Sequence, residues 1–207
     1  MAQALHLGQV QDLRRWTLIG AIAIAAAALL VVEPFEMGET SYHFWTETTG
    51  YVAIVAAIGV RLWCTLYIGS RKNRRLVTAG PYSMTRNPLY VGSFLGAVGV
   101  GLQTGMLTFA AIGGAVTALV FALVVEREEA HLAGLFREDY ARYCARTPRF
   151  LPRLSLYRDD GPTMEFEIAA LGRTLRDAAP FLAAILLTEA AEALHMMGWL
   201  PNWLTLY

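Results

Sequence analysis

Between Asn87 and Val125 the chain runs for 39 residues without a charged side chain. As a single α-helix that stretch would be about 59 Å long at 1.5 Å per residue, nearly twice the ~30 Å hydrocarbon core of a bilayer. It is too long for one upright span and suits two helices joined by a tight turn. Gln103, Thr104 and Gly105 are its only clustered polar and turn-forming residues, so the bend is predicted at 103–105. Two further apolar runs precede it: Trp16 to Val32, free of charge, and Thr48 to Gly69, interrupted only by Arg61. Composition agrees. Apolar residues make up 56% of the 207, and the 18 glycines raise this to about 65%, against roughly 45–50% on the same basis for soluble domains. That excess argues against a soluble globule, a disordered chain and a nucleic-acid binder.

Four spans follow, at about 16–33, 48–69, 87–103 and 106–125. Arg14 and Arg15 ahead of the first also suit a cleaved twin-arginine signal, a reading that the later apolar segments disfavour. The net charge of zero hides a strong asymmetry. The loop between the first two spans carries Glu33, Glu36, Glu39 and Glu47 and no basic residue, whereas Arg71, Lys72, Arg74, Arg75 and Arg86 lie between the second and third with no acid. The positive-inside rule places that second loop and the N-terminus in the cytoplasm. Four spans return the chain to the same side at Glu126, and seven more arginines lie between 127 and 158. The segments 70–86 and 126–160 therefore face each other at one membrane surface.

Beyond Val125, Leu132, Leu135, Phe136, Tyr140 and Tyr143 recur at helical spacing with charges on other faces, predicting an amphipathic helix over about 126–146 that ends near Pro148. A last apolar segment, Ala178 to Thr188, contains Pro180 and meets Glu189, Glu192 and His195 before two tryptophans. It reads either as a fifth span or as a helix lying in the interface, with those three polar residues on its wet face or, as the less favoured alternative, in a ligand or metal patch. The fold class is thus all-α: a polytopic membrane bundle of four core transmembrane helices, a cytoplasmic amphipathic helix and a candidate fifth C-terminal span. Residues 1–160 form the main domain and 161–207 a C-terminal helical extension. Cys64 and Cys144 match neither a disulfide scaffold nor a metal-ligand spacing, and no metal site is assigned.

The chemistry is expected at the arginine-rich surface. In the string Leu76-Val77-Thr78-Ala79-Gly80-Pro81-Tyr82-Ser83-Met84-Thr85-Arg86-Asn87-Pro88-Leu89-Tyr90-Val91-Gly92, Gly80-Pro81 makes a turn and Pro88 suits the first position of a helix. The free N–H groups of that helix start, with Arg86 beside them, favour an anionic group, and Tyr82 and Tyr90 can stack on a flat ligand. The alternative is an interfacial belt of tyrosines and lipid-bound arginine. Glu129 heads the apolar stripe of the amphipathic helix, with Glu128 one step away; a carboxylate so placed needs a partner, and Arg86 is available. Arg61, inside a span, is costly there unless paired or functional, or unless it snorkels to the nearer surface. Gly92/Gly96 and Gly101/Gly105 have the spacing of close helix packing. No GxGxxG follows a strand, so a Rossmann-type site has no support.

Those residues resemble the isoprenylcysteine carboxyl methyltransferase family and its phospholipid N-methyltransferase relatives. That family carries Arg-His-Pro-x-Tyr-x-Gly after a Leu-Val-Thr-x-Gly-Pro-Tyr stretch, then Glu-Glu-x-x-Leu-x-x-x-Phe-Gly-x-x-Tyr-x-x-Tyr. Here the first motif reads Arg86-Asn87-Pro88-Leu89-Tyr90-Val91-Gly92, and the second is met by Glu128, Glu129, Leu132, Phe136, Tyr140 and Tyr143. Gly59-Val60-Arg61-Leu62-Trp63 upstream and Pro152 downstream also fit, so the likeness covers about 50–153. Two positions depart from it: Asn87 stands for the family's His, which keeps hydrogen bonding but cannot titrate, and Arg137 stands for Gly.

The resemblance implies an S-adenosylmethionine-dependent integral membrane methyltransferase. Its cofactor pocket would be lined by Tyr82, Arg86, Asn87, Pro88, Tyr90, Gly92, Glu128 and Glu129, with Arg86 and Glu129 at the catalytic centre and Arg61 toward the acceptor. The acceptor would be a lipophilic or small apolar carboxylate, amine or thiol, reached from the membrane lipids; His131 is the least implausible base. The alternatives are an NADPH-dependent membrane sterol or enone reductase with a similar helical layout, and a non-catalytic membrane binding or assembly protein on the same fold.

Overall fold

The structure, a computed structural model, describes residues 27–34, 41–69, 75–159, 161, 168–201 and 203–206. Most of the predicted first span lies outside the described residues. Within the described residues from Ser41 onward, five helices follow in order: α1 (Ser41–Ile68), the single turn α2 (Pro81–Met84), α3 (Pro88–Gln103), α4 (Leu107–Arg146) and α5 (Ile168–Met196). A 3-10 turn lies at Leu154–Leu156, and two three-residue strands, β1 (Val32–Pro34) and β2 (Leu204–Leu206), pair in parallel with Val32 opposite Leu204. The architecture is an all-α membrane bundle. α1, α4 and α5 are each long and apolar enough to cross a membrane, and α3 is a shorter apolar helix. Their outward faces carry exposed large apolar side chains, among them Val55, Leu119, Leu123, Leu182 and Leu186, a liability in water and the normal surface against lipid.

The bend in the long apolar run falls where its polar residues do. α3 stops at Gln103, Gly105 turns the chain with φ +73°, and α4 starts at Leu107. α4 does not end at the membrane. It continues through the predicted amphipathic helix as a rod of 40 residues, about 60 Å, so its second half stands clear of the hydrocarbon. That rod is broken once, at Arg137, where φ is +42° and ψ −112°. A side chain with a Cβ is strained in that region, and this is the position at which the family motif has glycine.

α1 and α3 pack backbone to backbone. A Cβ on Gly50 would lie 2.5 Å from the Gln103 nitrogen and 2.7 Å from the Gly99 oxygen, and one on Gly99 would meet Ala53 and the Gly50 oxygen at 3.0 Å. Gly92 and Gly96 continue the same seam against Val60, Arg61 and Ala57. Gly101 instead lets the start of α4 approach, with Ala110 atoms 2.4 Å from its would-be Cβ.

α5 settles the choice left open for the C-terminal segment. It runs antiparallel to α1 along nearly its whole length: Thr174 shares a 2.7 Å hydrogen bond with Thr65 near one end, and Glu192 lies 3.3 Å from His43 at the other. Between them the Phe181 ring packs on Gly96 and Thr188 donates to Gln103. The interfacial-helix expectation is therefore corrected. His195 is buried against the segment at Leu29, whose carbonyl lies 2.9 Å from its Nε2, and the half-buried Glu192 turns to His43 of α1, while Glu189 stays exposed although Tyr51 and Gln103 reach its carboxylate.

Two substitutions test this packing. Gly50→Ala has nowhere to place its methyl and is expected to cost about 1–3 kcal/mol, whereas Gly59→Ala, with nothing within 4 Å, leaves the thermal midpoint in detergent unchanged or raised. Arg137→Gly relieves the left-handed strain in α4 and is expected to stabilise by about 1 kcal/mol, read as a higher unfolding midpoint.

Candidate functional site

The site is assembled where the chain after α4 folds back over the loop ahead of α3. Gly80 opens that loop with φ +59°, and a Cβ there would lie 2.2 Å from the Tyr67 ring, so the turn requires glycine twice over. Its N–H donates to the Arg158 carbonyl at 2.7 Å. Arg153 N–H reaches the Met84 carbonyl at 3.0 Å, the Thr85 hydroxyl donates to the carbonyls of Arg149 and Phe150, and Arg86 N–H reaches Pro148 at 2.8 Å. Tyr143 of α4 adds a 2.7 Å bond from its hydroxyl to the Tyr82 carbonyl. The loop of 80–87 and the segment of 147–158 are thus laced together.

Glu129 is the centre of this frame. One carboxylate oxygen lies 3.5 Å from Arg86 Nη1 and accepts from Asn87 Nδ2 at 3.1 Å; the other lies 3.1 Å from Arg149 Nε. The Glu129 and Arg86 side chains retain only 15% and 17% of their exposure. Asn87 is the N-cap of α3, a position where an Asn side chain ordinarily caps the helix. Here it makes no cap bond; its Nδ2 is instead turned to donate to Glu129 and to the Arg149 carbonyl at 3.0 Å. Arg86 also donates to the Cys144 sulfur at 2.8 Å. Burial works against its charge, but that sulfur and the Glu129 carboxylate outweigh it and hold the guanidinium more firmly protonated than in water.

The expected residues separate into groups. Arg86, Asn87 and Glu129 meet directly, and Pro88 starts α3 beside them. Tyr82 is buried beneath. Burial pushes its phenol well above its ordinary value, with Cys64, Tyr143, Glu128 and Tyr90 adding to the shift; its Oη has no hydrogen-bond partner among the described residues, and neither has Arg86 Nε. Tyr90 packs edge-on against Phe121, ring centres 4.7 Å apart. Gly92 lies on the stem of Arg61, whose guanidinium donates to Ser93 of α3. Arg149 and Cys144 were not expected. Arg149 lies beyond the motif helix, and only the return of the chain past Pro148 brings it in.

Next to this cluster opens a cleft of about 670 Å³, lined by Arg75, Thr78, Phe136, Arg142, Tyr143 and Arg158 among others. It is in the size range of small-molecule sites and strongly basic. Tyr143 joins the two regions, with its ring on the cleft and its hydroxyl holding the loop.

Comparison with known proteins gives this geometry a class. Residues 41–139 match the family model described as phospholipid methyltransferase. The chain is 42% identical over 161 residues to the nickel-cobalt-cadmium resistance protein NccN of Alcaligenes xylosoxydans xylosoxydans, covering 77% of this chain and 74% of that protein. It is 40% identical over 159 residues to the cobalt-zinc-cadmium resistance protein CzcN of Cupriavidus metallidurans, covering 77% and 73%. Over 95 residues it is 35% identical to the protein-S-isoprenylcysteine O-methyltransferase of Schizosaccharomyces pombe, covering 41% of this chain and 37% of that protein. No solved structure matches the chain significantly. The chain is a multi-pass membrane protein that belongs to one family with NccN and CzcN, and its residues 41–139 carry the likeness to the phospholipid methyltransferase family.

Glu129→Ala leaves the largely buried Arg86 without its counter-charge and is expected to cost about 3 kcal/mol, with little added by Arg149, whose side chain is 39% exposed. Glu129→Gln keeps an acceptor for Asn87 and loses less. Thermal unfolding of the detergent-solubilised protein orders the two.

Proposed function

We propose that the protein binds S-adenosylmethionine at the Arg86–Glu129 cluster and transfers its methyl group to a lipophilic or small apolar acceptor drawn from the bilayer. The observation that carries this reading is the convergence of both family motifs on one carboxylate, with Arg86 and Asn87 from one meeting Glu129 from the other. The residues present suit the cofactor. Two guanidinium groups share one carboxylate, which leaves a local positive excess and a free Arg86 Nε for a carboxylate group. The unsatisfied Tyr82 hydroxyl offers a buried donor, and Glu128 an acceptor for hydroxyl or ammonium groups. When bound, S-adenosylmethionine supplies an electrophilic methyl on a positively charged sulfur.

What the chain contributes is placement. Arg86, Asn87 and Glu128 orient the cofactor, and the laced loop keeps water from it, so that proximity provides the acceleration. An acceptor carboxylate needs no base. A thiol or amine has to lose a proton, and neither Asn87 nor the arginines can take it. The arginines of 127–158 lie on the same end as the cluster, which by the positive-inside rule supports a cytoplasmic active site. The names of the two bacterial relatives point to resistance to nickel, cobalt, zinc and cadmium, and we take methylation of a membrane-borne acceptor in that setting as the biological role.

Equilibrium binding of S-adenosylhomocysteine to the purified, folded protein is the direct test, with radiolabelled methyl transfer into total membrane lipids and small thiols to find the acceptor. Saturable binding is expected, weakened roughly tenfold or more in Glu129→Ala. Tyr82→Phe is expected to raise the unfolding midpoint, because it removes an unsatisfied buried hydroxyl, and at the same time to weaken binding. Absence of binding by the folded wild type overturns the reading.

A further inference from the structure

At the opposite end of α3 from Glu129, about 24 Å away along its 16 residues, a second polar cluster sits between helices. His43 and Glu47 are four residues apart on the first turns of α1 and share a face; Glu192 comes from α5. His43 Nε2 lies 3.3 Å from Glu192 Oε1, and one ligand atom from each of the three falls within 4.8 Å of the others. His43 is buried, and the Nδ1–Cε1 edge of its ring abuts Gly105, where a Cβ would come within 2.4 Å of Nδ1. The left-handed Gly105 therefore pins the imidazole with Nε2 turned toward the two carboxylates.

The surroundings leave that cluster short of positive charge. The Tyr51 hydroxyl lies against a carboxylate oxygen of Glu47, at 3.3 Å, and against Glu189, yet it has one proton to give. Gln103 Nε2 adds a contact to Glu189 at 3.4 Å, and Thr188 fixes the amide by donating to its oxygen. Among the described residues no arginine or lysine forms an ion pair with Glu47, Glu189 or Glu192. Three carboxylates thus converge on one imidazole, one hydroxyl and one amide, at the interface of two apolar helices.

We propose that His43, Glu47 and Glu192 bind a divalent transition-metal ion of the zinc, cobalt or nickel kind, with Tyr51 and Gln103 holding Glu189 behind them. One imidazole nitrogen and two carboxylate oxygens form a borderline donor set that suits these ions and not calcium or magnesium, which take oxygen ligands alone. Metal–ligand distances near 2.1 Å require the three ligand atoms to close in by about an ångström, within the reach of glutamate rotamers. Three protein ligands leave a coordination position for water. The ion would tie α1 to α5 across the bundle. The assignment rests on this geometry and not on the methyl-transfer reading.

The test uses the full-length protein purified without a polyhistidine tag, stripped with chelator and titrated with Co²⁺ in detergent. One equivalent is expected to bind, with visible d–d absorption of a four- or five-coordinate ion that Zn²⁺ displaces, and with a raised thermal midpoint. Glu192→Gln and His43→Gln are each expected to weaken binding at least tenfold, while Glu138→Gln, at an exposed position on α4, leaves it unchanged. Because His43 is packed against Gly105, the half-buried Glu192 carries the comparison if His43→Gln does not fold. A wild-type protein that binds no Co²⁺, or binding that survives both substitutions, overturns the proposal. S-adenosylhomocysteine affinity is expected to be unchanged in the Glu192 variant, so loss of cofactor binding with the metal site intact counts against the proposed function alone.

Discussion

Glu129 stands one turn beyond the point where α4 leaves the apolar part of the bundle, and its two oxygens decide how the arginine-rich end is built. One oxygen gathers Arg86 and Asn87 from the loop before α3, and the other gathers Arg149 from the chain after α4. Two guanidinium groups this close repel each other unless a carboxylate lies between them. The backbone bonds from Arg86 to Pro148 and from Arg153 to Met84 then close the same loop and segment over it. Without that carboxylate the loop and the return segment would each keep their hydrogen-bonding groups but lose the charge that draws their arginines to one place.

The other end of the molecule depends on the glycine seam between α1 and α3. Close backbone approach brings Gln103 within reach of Tyr51 and Glu189 and sets Gly105 against His43. α5 completes this end by laying Glu189, Glu192 and His195 onto it. The two polar clusters are therefore separated by apolar packing and share helices without sharing side chains.

Much of this was legible in the chain. The bend at 103–105 was readable because Gln-Thr-Gly is the only cluster of polar and turn-forming residues in a long apolar run, and the Arg86–Glu129 pair because a carboxylate heading an apolar stripe demands a cation. Arg137 was readable as an oddity against the family motif, and its left-handed backbone supplies the physical reason glycine belongs there. Other features were not readable. Arg149 enters through a chain reversal that no periodicity encodes. The covering of Glu192 and His195 was not readable, because polar residues on a helix say nothing about whether a neighbouring segment packs over them. Most of the first predicted span falls outside the described residues, and its last residues enter β1.

The length of α4 has a mechanical consequence. From the middle of its apolar half to Glu129 is about 13 residues, or ~20 Å of continuous helix. Transmembrane helices adjust their tilt to the thickness of the surrounding lipid, and a change of about ten degrees would swing that carboxylate by ~3 Å. Arg86 is held both by the loop lacing and by Cys144 of α4 beyond its break at Arg137, so such a swing of the first part of α4 would load the contacts at Glu129. Bilayer thickness would in this way bear on the Glu129 cluster with no lipid touching it.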